Sequence, residues 1–312
     1  IHLKHSNEFI KDLTDLVFLD LMSIDLHIHS KNSDGTDSID EIVSKSKDQQ
    51  LQAISITDHE YLSEVNAEGI EIISGVEMSV SWNDLDSQNP YSGIHLLIYF
   101  LEKNTPLDKM LFKIREEKKN RNYEILDKLK NIGIEIEKDE LKNFETKVPG
   151  RPHIANLMKS KGYVSTLNEA FQKYLGNGKV GDSRIHQNQI TDVIQVAKES
   201  KSLIFLAHPH TLVSNKNYSF SENWHNESFF EILKKLKSLG IDGVETYYSS
   251  YSKSTSNSLE EITNTLNLLR SGGSDYHGMN KPNINIGFGY ENNQLNIPYN
   301  LIEKMKAKHA EL

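Results

Sequence analysis

The chain has 312 residues, 37% hydrophobic and 25% charged, enough apolar side chain for one large core or a core with an insertion. Its net charge of −9 argues against coating nucleic acid through bulk charge, while leaving room for a local basic pocket. With no cysteine, disulfides and thiolate metal sites are excluded, and any metal must be held by histidine and carboxylate.

The first residues, Ile1 to Asn7, lack the apolar stretch and small-residue cleavage site of a secretion signal. No apolar run approaches the roughly 20 residues that span a bilayer. A cytoplasmic protein with no membrane association and no stable protein partner is therefore expected. The strand predicted at 21–28 carries Leu21, Met22, Ile24, Leu26 and Ile28 and ends in His27 and His29. Residues i and i+2 point the same way from a strand, so the two imidazoles form one face, and Asp34 adds a hard oxygen in the turn that follows.

A helix is predicted at 38–50, with Ile39, Ile42 and Val43 on one face and Asp40 and Glu41 in its first turn. A strand at 52–57 leads to Asp58 and His59, one at 70–76 ends at Glu77, and one at 94–100 begins at His95. This alternation predicts a parallel sheet or barrel whose site gathers at the carboxyl ends of the strands. From about 102 to 185 the pattern turns helical, with a long helix at 106–131, shorter pieces at 151–161 and 167–175, and a glycine-rich turn from Gly176 to Gly181. The α/β rhythm then returns with helix 189–200, strand 203–207, helix 228–239, strand 241–246, helix 256–269 and a strand-loop at 270–278. The chain accordingly divides into a discontinuous catalytic domain, 1–101 and 186–312, and a helical insertion, 102–185.

Nine polar residues sit at predicted strand ends: His27, His29, Asp34, His59, Glu77, His95, His208, Asp275 and His277. Six imidazoles and three carboxylates exceed what one tetrahedral ion needs and suit two or three ions sharing a carboxylate. Glu77 follows the apolar run from Ile72 to Val76, so a buried carboxylate is expected there, compensated either by cations or by hydrogen bonds. Taken singly, His208 reads more often as a hydrogen-bonded loop histidine than as a ligand, and His210 reads equally as a substrate contact or a solvated ring. Asp58 is expected to orient the imidazoles. Arg115, Lys118, Lys119 and Arg121, interleaved with Glu116 and Glu117, read as a salt-bridged solvated face. Tyr247 is expected to pack, while Tyr248 and Tyr251 can either pack or stack on a base.

The ordered segments DLHIHSKNSDGT, ITDHE, GVEMS, AHPH and GGSDYHG resemble the PHP superfamily, named for polymerase and histidinol phosphatase domains. The insertion is similar to that of its 3′,5′-nucleotide bisphosphatase and 5′-to-3′ exoribonuclease branch. That finer likeness rests on Arg121-Asn122, on Gly150 to His153 and on Phe171 to Gly181. The resemblance implies a distorted (β/α)7 barrel and two to three divalent ions (Mn, Fe or Zn). One ion would take His27, His29, Glu77 and Asp275; a second, Glu77, His95 and His208; a third, Asp34, His59 and His277. It also implies hydrolysis of nucleotide phosphates or short RNA, with Asp275 in the catalytic centre and His208 or His210 protonating the leaving oxygen. Arg151, Lys179 and Lys173 would hold a second phosphate. The segment from Asp182 to His186 departs from that family's pattern and leaves Arg184 without a role. The alternatives are a phosphatase for another small monoester such as histidinol phosphate, a more distant amidohydrolase, and a non-catalytic metal-stabilised module.

Overall fold

The computed structural model describes residues 23–83, 91–144, 146–183, 188–214 and 224–312. Ile1 to Asn7, Arg184 and His186 lie outside them. Nine strands occur in the described chain: β1 Ser23–Ile28, β2 Ala53–Ile56, β3 Glu71–Ile72, β4 Gly75–Trp82, β5 Tyr91–Tyr99, β6 Leu203–Leu206, β7 Gly243–Tyr248, β8 Leu269–Gly273 and β9 Ile297–Pro298. The helices are α1 Ile39–Asp48, α2 Pro106–Lys130, α3 Lys138–Lys142, α4 Arg151–Ser160, α5 Leu167–Ala170, α6 Ile190–Glu199, α7 His210–Ser214, α8 Glu227–Leu239, α9 Lys253–Thr265 and α10 Asn300–His309. A π-helical turn, Phe171–Leu175, continues α5.

The strands form two sheets, ordered β3-β2-β1-β9 and β4-β5-β6-β7-β8. They meet through single bridges, Ile28 with Tyr276 on one side and His59 with Glu77 on the other. The expected barrel is thus open in its hydrogen bonding. Nor is it all parallel, since β5 runs antiparallel to both β4 and β6. Only residues 83–90 connect β4 to β5, and a parallel crossover needs roughly a dozen residues or more.

The reversal settles two local readings. His95 lies in the first half of β5, which places it level with the carboxyl ends of the parallel strands: Leu96 pairs with Leu206, and Ala207 N donates to His95 O at 3.0 Å. Glu77, by contrast, does not end its strand, because β4 runs on to Trp82 against β5. Along β4 and β5 the period-2 alternation sends Val76, Met78, Val80, Ile94, Leu96 and Ile98 into the layer shared with α2, α6, α8 and α9, while Leu97 and Tyr99 face the inner core.

Helix α2 begins with Thr105 accepting from Asp108 N and with Pro106 in its first turn, both helix-start devices. Its Leu107, Leu111 and Ile114 join the outer core of the larger sheet. Its Ile125, Leu126 and Leu129 join a separate apolar cluster with Ile154, Met158 and Leu175. One helix therefore ties the helical segment to the sheets. The elements β9 and α10, which close the described chain, were not anticipated; α10 packs Leu301, Ile302 and Met305 against the inner core. No described helix is long and apolar enough to cross a membrane.

Candidate metal centre

Strand ends and the loops after them carry the polar cluster, and buried neighbours fix their backbones. Asp25 is fully buried; its carboxylate accepts from Ser274 N (2.9 Å) and Gly287 N (2.8 Å), which draws the end of β8 onto β1. Burial pushes its pKa up to about 6. A Cβ on Gly273 would collide with the backbone nitrogen of His27, so only glycine permits this approach. Asp275 N then donates to His27 O at 2.8 Å. Asp58 does not touch an imidazole, contrary to expectation. It accepts from Ser30 Oγ (2.6 Å), Ser33 Oγ (2.7 Å) and Ser63 Oγ (2.5 Å), and so organises the turn that presents Asp34. Three short polar side chains converging on one buried carboxylate are a tertiary arrangement that no local pattern reveals.

Glu77 is the hub. Its Oε1 lies 2.8 Å from His95 Nδ1 and 2.9 Å from His208 Nε2; its Oε2 lies 3.1 Å from His29 Nε2, 3.3 Å from His59 Nδ1 and 3.5 Å from His27 Nε2. Five imidazoles converge on one buried carboxylate. Asp275 Oδ1 stands 3.5 Å from His27 Nε2 and 3.4 Å from His29 Nε2, and Asp34 Oδ1 stands 3.3 Å from His277 Nε2.

Three overlapping groups bring their donor atoms within 4.8 Å of one another: His29, Asp34, His59 and His277; His27, His29 and Asp275; and His59, Glu77 and His95. Eight of the nine residues singled out from the sequence fall in these groups, and the ninth, His208, touches Glu77. The grouping differs in detail from the implied one, since His29 joins the Asp34 group and His59 the Glu77 group.

The donor set suits divalent ions. It is all nitrogen and oxygen. His59 Nδ1 is buried and makes no hydrogen bond, although a carboxylate oxygen is nearby. His27 and His29 turn their Nε2 atoms to 3.1 Å from each other while His27 Nδ1 is taken by Glu245 at 2.8 Å. Burial, with His277 and His59 adding repulsion, drives His29 down to about 3, so its lone pair is available at neutral pH. Burial opposes charge on His27 too, but Glu245, Asp275 and Glu77 outweigh it and hold its pKa well above the usual value. Glu77 itself, despite burial, is held well below the ordinary carboxylate range by His95, His59 and His27.

Glu245 was missed. It is fully buried, and besides His27 Nδ1 it accepts from His208 N at 2.6 Å, orienting two of the nine residues. The available signal was the run Gly243-Val-Glu245, an acidic residue in a predicted buried strand like that of Glu77. Tyr248 and Tyr251 pack and also orient: Tyr248 OH donates to Asp275 Oδ2 at 2.7 Å, shared with Lys281 Nζ at 2.5 Å, and Tyr251 OH meets His210 Nδ1 at 2.8 Å. His208 has both ring nitrogens engaged, Nε2 with Glu77 and Nδ1 with Thr211 Oγ1 at 3.3 Å. Burial and His208 hold His210 at about 4, a neutral imidazole near pH 7.

Beside this centre lies a cationic pair. Thr146 Oγ1 donates to Asn32 O and Ser33 O, which ties the segment before α4 to the Asp34 turn, and Asn122 Nδ2 donates to Pro149 O at 2.6 Å. Arg121 and Arg151 are thereby brought together. Burial, with repulsion from Arg151, pushes Arg121 down to about 10, and its buried Nε has no hydrogen-bond partner. Arg151 donates to Leu175 O at 3.3 Å. Lys179 is exposed on the glycine-rich turn, and Lys173 is exposed and paired with Glu169 at 2.7 Å. Of the expected solvated face, Lys119 with Glu116 (3.7 Å) fits. Lys118 instead pairs with buried Glu60, and Arg121 is half-buried, with its Nε out of solvent.

Two open-edged sheets presenting histidines and carboxylates from their strand ends define an α/β protein with clustered groups able to hold divalent metal. More particularly, the PHP domain family matches residues 25–174 of the chain. The chain is 29% identical over 263 residues to a 5′-3′ exoribonuclease of Haemophilus influenzae, covering 81% of this chain and 89% of that one. It is 24% identical to a phosphoribosyl 1,2-cyclic phosphate 1,2-diphosphodiesterase of Eggerthella lenta (81% and 94% covered) and 24% identical to a 3′,5′-nucleoside bisphosphate phosphatase of Chromobacterium violaceum (86% and 91%). A solved structure of a candidate metal-dependent phosphoesterase from Bifidobacterium adolescentis shares the fold, with a TM-score of 0.71, 21% identity and coverage of 92% of this chain and 96% of that one.

Proposed function

We propose that the chain is a metal-dependent phosphoesterase for ribose phosphates that carry a second phosphate, removing the 3′-phosphate of 3′,5′-bisphosphonucleotides and cleaving short 5′-phosphorylated RNA from its 5′ end. The observation that carries this reading is the juxtaposition of three overlapping ligand groups with two half-buried arginines, Arg121 and Arg151, whose charge Glu60, already paired with Lys118, answers only in part. Two of the relatives act, as their names state, on a ribose bearing two phosphate groups. In this reading the two sheets are halves of a distorted (β/α)7 barrel, and residues 102–185 are an insertion into a catalytic domain formed by 1–101 and 186–312.

His27, His29, Glu77 and Asp275 would hold one ion, Glu77, His95 and His208 a second, and Asp34, His59 and His277 a third. Two to three divalent cations (Mn, Fe or Zn) bound there supply an activated water and neutralise the phosphoryl oxygens. The protein does the rest. Glu245 orients His27, and Tyr248 with Lys281 holds the second oxygen of Asp275, so that Asp275 Oδ1 faces the imidazoles. Arg121 and Arg151 grip the non-reacting phosphate with planar forks, and Lys179 adds a point charge from its loop. Lys173, engaged by Glu169 on the surface, is the outermost member of that clamp. His208, with both ring nitrogens engaged, and His210, oriented by Tyr251, are the two imidazoles that would meet the leaving oxygen. A monoester without a second phosphate, such as histidinol phosphate, leaves the arginine pair uncompensated.

Phosphate release from adenosine 3′,5′-bisphosphate with Mn²⁺ tests the reading. Release by the intact chain, lost in His29→Ala by a factor of about 1000 or more, is the expected result. A metal-loaded chain that releases no phosphate overturns it.

A further inference from the structure

Resting on the phosphoesterase reading, we propose that Tyr61, Phe112 and Arg115 form a stacking platform for a base of single-stranded RNA that extends beyond the reacting phosphate. Tyr61 lies two residues after His59, so this face adjoins the metal-centre loop. The Arg115 guanidinium lies 5.2 Å from the Tyr61 ring and 5.8 Å from the Phe112 ring, and its Nη1 donates to Glu60 O at 2.7 Å. The stack is therefore anchored to the same backbone that positions His59. Phe112 is 59% exposed and is the one exposed phenylalanine among the described residues. An exposed ring beside a guanidinium presents a π-face to water, and every nucleobase has a face to cover it.

Charge selects the occupant. Arg115 bonds the Glu60 backbone, Lys118 pairs with the Glu60 carboxylate and Arg121 lies within its influence. From Arg115 to Arg121 four cations stand against Glu116, Glu117 and buried Glu60, which leaves the strip of α2 beside the centre positive in a chain of net charge −9. A phosphodiester backbone is complementary to such a strip. Arg115 and Arg121 are six residues apart on α2, about 9 Å along the axis. The arginine pair can then hold a terminal phosphate while the platform takes a base of a later nucleotide. A mononucleotide uses only the first; an oligonucleotide uses both.

Binding of a 5′-phosphorylated, 3′-fluorescein tetra-adenylate to the full chain, followed by fluorescence anisotropy, separates this inference from the activity it rests on. Phe112→Ala should weaken binding about tenfold, the size expected when one base loses its stacking partner, and Phe112→Trp should restore it. Arg115→Gln should flatten the dependence of log Kd on log salt by about 0.7, the share of one phosphate contact on a single strand. An unchanged Kd in Phe112→Ala overturns the platform whatever the enzyme hydrolyses. Loss of affinity in that variant sustains it even if phosphate release from the mononucleotide fails, which would count against the phosphatase reading alone.

Discussion

The strand ends around Glu77 and the helix around Arg121 handle buried charge in opposite ways. At Glu77 one carboxylate is ringed by five imidazoles, and at Arg121 a half-buried guanidinium faces a second guanidinium, answered only in part by Glu60, which already pairs with Lys118. The first arrangement gathers lone pairs and invites cations; the second gathers positive donors and invites an anion. What each region lacks points to the sign of its ligand, and the two together underlie the proposal of a metal-assisted reaction on a molecule with two phosphates.

The contrast can be broken at either side. Glu245→Gln touches only the lone-pair side, by loosening His27 and His208. Metal affinity should fall about 10- to 100-fold in a titration against a competing chelator, as when other partners of metal-bound histidines are removed. At saturating metal the KM for adenosine 3′,5′-bisphosphate should stay near its original value, and unchanged metal affinity would remove Glu245 from the centre. Arg121→Gln touches only the cationic side. It should raise that KM about tenfold, the loss of one charge-assisted contact, with metal content unaltered. Lys173→Ala should shift KM less than about twofold, because an exposed ion pair contributes little. Equal effects of the two substitutions would move the clamp outward from the arginines.

The smallest effect concerns pH. His210 is held at about 4, below its ordinary 6.5, by burial and by His208. The unfolded chain takes up a proton below pH 6.5 that the folded chain refuses until about pH 4, so stability falls as pH drops through that window. His210→Gln removes this contribution. The Tm of the metal-free variant should therefore fall less steeply between pH 6.5 and 4.5 than that of the parent chain; parallel curves would show that His210 is not shielded in the fold.

Much of the lone-pair side was legible in the chain because it obeys local rules. His27 and His29 share a strand face, Asp275 and His277 repeat that spacing, and each lies beside an apolar run. Glu245 was hidden by the same rules, since an acidic residue in a strand shows its partner only once β7 lies next to β6. The sense of β5 was legible only in the shortness of the link after Trp82, and the open edges between the sheets depend on contacts between β1 and the end of β8. The cationic side was the harder one. Arg121 sits among alternating charges that look solvated on a helical wheel, and its burial comes from the segment that Asn122 pins through Pro149.

The meeting of β1 with the end of β8 has a consequence for how such a protein matures. Asp25 and Ser274 are 249 positions apart, yet they hydrogen-bond beside His27 and Asp275. A chain emerging from the ribosome would expose His27 and His29 long before Asp275 and His277 exist to complete the cage. Capture of ions would then wait until residues up to His277 have emerged and that long loop has closed. Which ion is kept would follow from what the cell offers a folded cage at that moment, rather than from what first meets the growing chain.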